Sequence, residues 1–173
     1  MAHQKSLYIV LLGGKHPNAR IEVHDMRPVI TEQLAHAYSE LKQQWFGLSK
    51  GLHIDGWMRV DTVLYQQQAY KIVIRDEQPK PNSLKLFLIN LGAYLPDQFG
   101  EIHKYVVVAA YDATEAKLYG KQAIEQHWIK AHTDAVIDVD DCILLDLFNE
   151  HYVHLVETTQ QPWVEFQNDY ILI

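Results

Sequence analysis

Two stretches of this 173-residue chain repeat each other at a constant spacing, and that repetition limits its folds more than any other feature. With Gly13 laid over Gly92, an offset of 79 (92 − 13), Leu7, Leu12, Pro17, Glu22, His24 and Val29 fall on Leu86, Leu91, Pro96, Glu101, His103 and Val108. Without a gap, Ala37, Lys42 and Gln43 fall on Ala116, Lys121 and Gln122. His53, Asp55, Val60 and Asp61 then fall on His132, Asp134, Val139 and Asp140. So many identities at one offset imply a tandem duplication, with a first unit over 1–78, a Pro-containing junction at 79–83 and a second unit over 84–157. Residues 158–173 lie outside the repeat and read as one extra strand.

Each unit predicts the element order ββαββ. An apolar run, "SLYIVLL" or "LKLFLINL", has the length of a buried strand. A loop with glycine and proline follows, "GGKHPNAR" or "GAYLPDQFG", where glycine suits positive φ. A second strand leads to a helix. In the first unit Leu34, Ala37, Leu41 and Trp45 form its apolar stripe; in the second, Asp112 and Glu115 form a capping box ahead of Ala116, Gly120 and Ile124. Gly120 stands where the first unit has Leu41, which predicts a closer approach of the second helix to its sheet. Two further strands complete each unit. The expected fold is α+β: mainly antiparallel sheets, each with one packed helix, in an order like that of a β-grasp roll.

Strict alternation along a strand places Glu22 with His24 on one face. It also puts His53, Asp55, Trp57, Arg59 and Asp61 on the face opposite Ile54, Met58 and Val60. The second unit repeats the pattern with Glu101 and His103, and with His132, Asp134 and Asp140. These eight residues, Glu22, His24, His53, Asp55, Glu101, His103, His132 and Asp134, are the candidate ligand or polar-network residues. Two imidazoles and two carboxylates suit zinc, iron or manganese. They equally suit a hydrogen-bonded polar seam between the units.

Composition narrows the function classes. A net charge of −7 and the lack of a dense Lys/Arg cluster disfavour a nucleic-acid partner. The opening apolar run is too short for a membrane span or signal segment, so no membrane partner is expected. The single cysteine, Cys142, excludes an intramolecular disulfide and makes a reducing cytoplasm the default address. No nucleotide, protease or hydrolase motif is present, and no cofactor is called for. The sequence therefore points first to a non-catalytic binding or assembly module, self-associating through exposed aromatics such as Trp57, Trp163, Phe166 and Tyr170. The alternative is a metal-dependent enzyme in which His24, His53 and Asp55 hold the ion and Glu22 is the base.

The strings "LGGKHPNARIEVHD", "LHIDGWMRVD" and "LFLINLGAYLPDQFGEIHKYVVVAA" resemble the bacterial family known as domain of unknown function 1543, over about residues 5–157. The resemblance implies a small cytoplasmic bacterial protein and transfers no activity. The second unit departs from the first at Lys104 for Asp25 and at Ala135-Val136 for Gly56-Trp57, which makes the first unit the expected working copy of any site.

Overall fold

The computed structural model describes residues 4–94, 97–125 and 136–173. His132 and Asp134 lie outside them. The described elements are strands β1 (Ser6–Gly14) and β2 (Val23–Thr31), a 3-10 turn (Leu34–Ala37), helix α1 (Tyr38–Gln44), then β3 (His53–Tyr65) and β4 (Gln68–Arg75). There follow β5 (Lys85–Tyr94), β6 (Ile102–Ala110), α2 (Ala113–Glu125), β7 (Val136–Leu144), the short β8 (Leu147–Phe148), β9 (His151–Thr158) and β10 (Trp163–Leu172). The fold is mostly antiparallel sheet with two short helices, an α+β arrangement. No described helix is long and apolar enough to cross a membrane.

Two sheets face each other. The larger runs β2-β1-β3-β4-β9-β8, with β10 added along β3; the smaller runs β6-β5-β7. Alternation in β1 sends Leu7 and Ile9 to one side and Tyr8, Val10 and Leu12 to the other. The first set joins Ile30, Val60, Val63, Ile72 and Val153 against Leu86, Leu88, Ala109 and Leu145, which forms the core between the sheets. The second set packs under Ala37, Leu41 and Trp45. In the smaller sheet Phe87, Ile89 and Leu91 turn outward to Ala116 of α2. Each helix therefore covers the outer face of one sheet while the inner faces bury each other.

Three expectations change. A β-grasp roll sets its first strand parallel to its last, whereas β1 lies antiparallel to both its neighbours, β2 and β3. Nor does each half keep its own strands. β9 joins the larger sheet by pairing with β4 from Ala69↔Thr158 to Arg75↔Tyr152, covering a strand edge that would otherwise expose unpaired N–H and C=O groups. Alternation also breaks in β3, where a bulge opposite Leu11/Leu12 takes up Asp55. Ile54 then faces α1, while Met58 and Val60 face the other sheet, so the three do not share a face.

The start of α2 follows its sequence signal: Glu115 N–H donates to Asp112 Oδ1 at 2.9 Å, and Glu115 Oε2 accepts Tyr111 N–H at 2.7 Å. The other Glu115 oxygen accepts the Tyr65 hydroxyl at 2.9 Å, tying α2 to the far end of β3 and pushing the Tyr65 phenol well above its usual range, with the bond to Glu115 the main cause. Gly120 does lie close to its sheet. A Cβ there would sit 2.8 Å from Ile89 Cγ2. Gly120→Leu should therefore destabilise the protein by about 1–3 kcal/mol through overpacking, although leucine is the better helix former. Thermal denaturation decides it: an unchanged or raised Tm would refute the close packing.

Candidate functional site

The site begins at Gly13. In the β1–β2 ladder Gly13 stands opposite His24, and in the β1–β3 ladder it stands opposite His53. The bulge that takes up Asp55 turns this carboxylate to the same side as His53, and Glu22 reaches in from just before β2. All four side chains converge over a residue without a side chain. A Cβ on Gly13 would overlap Asp55 Oδ2 and lie 2.6 Å from His53 Nε2. The reason for glycine here is this close approach, and Gly13 is in extended backbone rather than at positive φ. Among the described glycines, positive φ occurs at Gly51 and Gly100.

His53 is the centre of the cluster. Its side chain is 2% exposed. Nδ1 lies 2.8 Å from the Gly51 carbonyl, an acceptor only, so this nitrogen carries the proton and donates. Nε2 then faces Asp55 Oδ1 at 3.2 Å and Glu22 Oε1 at 3.5 Å. Yet Nε2 is buried without a hydrogen-bond partner, as is Asp55 Oδ2. His24, half exposed, places its Nε2 3.1 Å from Asp55 Oδ2 and 3.5 Å from Glu22 Oε1. From β10, the ring of Tyr170 lies over His53 with centroids 4.3 Å apart. His24 also borders a cavity of about 290 Å³ walled by Leu11, Met26, Leu88 and Tyr105.

The structure thus brings Glu22, His24, His53 and Asp55 together. In the other half it joins Glu101 and His103 with Asp140, and His103 Nδ1 lies 3.1 Å from Asp140 Oδ2. Alignment sets Asp140 beneath Asp61, but the strand register does not. Gly92 stands opposite His103 and Asp138, and Asp140 is taken up in a bulge opposite Asn90/Leu91, as Asp55 is opposite Leu11/Leu12. His53 and Asp138 are 85 residues apart (138 − 53), six more than the alignment offset of 79, so β7 meets β5 six residues later than an ungapped alignment predicts. Alternation places Asp140 on the polar face as the partner of Asp61, not of Asp55, and it is not among the eight candidates; the cradling role of Gly13 and Gly92 is not legible in the sequence. A search for the bulge would have found Asp140; nothing local would have found Tyr170, which reaches His53 only because β10 pairs with β3.

With this geometry in view, comparison with known proteins is informative. Residues 19–74 match the family described as Domain of Unknown Function (DUF1543). That segment holds Glu22, His24, His53 and Asp55, and is shorter than the span over which the motifs resemble the family. The chain is also similar to the crystal structure of a protein Il1583 from Idiomarina loihiensis, with 28% identity and a TM-score of 0.68, over 95% of this chain and 97% of that one. Among curated proteins there is no match.

The cradle makes a direct prediction. In a strand, Gly→Ala ordinarily gains about 0.5–1 kcal/mol from reduced backbone freedom. Gly13→Ala should instead cost about 1–3 kcal/mol, because the new methyl group displaces His53 and Asp55. Urea denaturation of this variant, with stability equal to or above the parent, would show that the carboxylate and imidazole do not need the space.

Proposed function

We propose that this protein is a divalent-metal-binding module whose principal site is formed by Glu22, His24, His53 and Asp55. The observation that carries the reading is His53 Nε2, which is buried, has no hydrogen-bond partner and is directed at two carboxylates. With Nδ1 committed to the Gly51 carbonyl, Nε2 is the ring nitrogen that faces the two carboxylates, a concentration of negative charge that a cation between them relieves. A divalent ion satisfies all three groups at once. A backbone carbonyl holding the far nitrogen is also how metal-binding imidazoles are oriented. Nitrogen and oxygen donors without thiolate favour zinc, manganese or iron. Such an ion supplies Lewis acidity to a bound water. The cavity beside His24 leaves room for a small ligand to approach.

The equal registers of β1–β2 about Gly13 and β5–β6 about Gly92 support reading the chain as two related halves, each with a ββα core. The lone Cys142 and the N/O donor set fit a cytoplasmic setting.

The test is elemental analysis and calorimetric titration of protein purified without a nickel column. About one equivalent of zinc or manganese should bind tightly and raise thermal stability by about 2.7 kcal/mol when the free ion is at 100 times Kd. His53→Ala should abolish both effects. Substoichiometric metal with no thermal shift would end this reading.

A second reading, self-association without catalysis, has its own support. β10 carries Trp163, Phe166, Tyr170 and Leu172 exposed at 47%, 70%, 64% and 64%, a dense apolar display for one strand at the margin of a sheet. Light scattering behind size exclusion should then show a dimer that Phe166→Asp converts to monomer. A monomer at every concentration for the unaltered protein would refute it.

A further inference from the structure

We propose that the second half carries a separate, weaker divalent-cation site formed by Glu101, His103 and Asp140. The inference rests on the metal reading of the first half but is decided by different residues. Ligand atoms of these three side chains all lie within 4.8 Å of one another. Gly92 serves them as Gly13 serves the first cluster: a Cβ there would overlap Glu101 Oε1 and lie 2.5 Å from Asp140 Oδ2. Two carboxylates thus lean over the same backbone atom, a mutual repulsion that a single imidazole beside them offsets only in part. A cation between them relieves it.

The two sites are not equivalent, for reasons visible in β7. Opposite Gly92, the position that His53 holds opposite Gly13 is held by Asp138. Asp138 is turned outward. Its side chain is 79% exposed, and its Oδ1 accepts the Val139 N–H at 2.8 Å and Lys121 Nζ at 3.1 Å. Those contacts, the Val139 bond first, hold its carboxyl below the usual range and keep it engaged away from the cluster. Each half therefore offers three donors close to one another, but only the first includes an imidazole as buried as His53, with His24 beside its Asp55. His103 and Asp140, at 39% and 29% exposed, are about as wet as His24 and Asp55 at 47% and 25%, and nothing in the second cluster matches His53 at 2%. Less fixed donors in competition with water give lower affinity. His103 also borders a cavity of about 350 Å³ with Ile9, Met58 and Phe166 in its wall, so an ion has a route in.

Titration of the full chain with manganese, followed by calorimetry and by the loss of the free-ion electron paramagnetic resonance signal, tests this. Two phases are expected, the second with a Kd at least about tenfold higher than the first. Asp140→Asn, which keeps the side chain's shape, should remove the weak phase and leave the tight one. Glu101→Gln should do the same, and Asp55→Asn should remove the tight phase alone. A single tight phase of one equivalent, or a weak phase indifferent to Asp140→Asn and Glu101→Gln, overturns the second site while leaving the first. Absence of any binding overturns both.

Discussion

Burial of the two inner sheet faces against each other is the interaction on which the remaining features depend. Leu7, Ile9 and Val60 from the larger sheet, Leu86 and Leu88 from the smaller, and Leu145 just after β7 are each at most 2% exposed. At about 1.5–3 kcal/mol per fully buried aliphatic side chain, this contact is a major stabilising term for the molecule. It also sets the geometry. Because one face of β1 and β5 is used between the sheets, each helix is left only the outer face. The polar residues at the Gly13 end of β1 stand on the inner side, where the apolar contact has run out.

That position explains how four ionisable groups are gathered without being sealed in. The first cluster sits on the side of β1 opposite α1, at the end of the strand, with His53 buried and His24 half in solvent. Deeper in the core the carboxylates would lack water as well as partners, which is prohibitive. Farther out, the imidazole would be hydrated and mobile. The bulge at Asp55 makes the cluster possible, since a regular strand would send the residue after Ile54 out of step with the pairing to β1. A bulge at the corresponding place in β7 presents Asp140 in the same manner.

Much of the fold was legible because it depends on local patterns. The runs around Leu7–Leu12 and Leu86–Leu91, the stripe of Ala37 and Leu41, and the capping pair Asp112 and Glu115 all formed the elements their spacing implied. The facing of β3 was misjudged because period-two reasoning assumes no inserted residue, and Asp55 is one. That Asp140 takes the place of Asp55 in the second half turns on where β7 meets β5, a pairing between residues some fifty positions apart. Exchange of β9 into the larger sheet was beyond any pattern in β9 itself, whose alternation would suit either sheet.

By itself the sequence determined that the chain forms two antiparallel, helix-backed assemblies of strands, and that His24, His53, Asp55 and His103 fall on strands rather than helices. Those properties follow from hydrophobic period and turn chemistry, which act over a few residues. Only the tertiary structure decided that Glu22, His53 and Asp55 cluster with His24 beside them, that Gly13 is glycine to make room for His53 and Asp55, and that Tyr170 lies over His53. Convergence of this kind is set by strand register, bulges and the docking of a distant C-terminal strand. These are fixed by the sum of packing over the whole molecule, and no short stretch of residues encodes that sum.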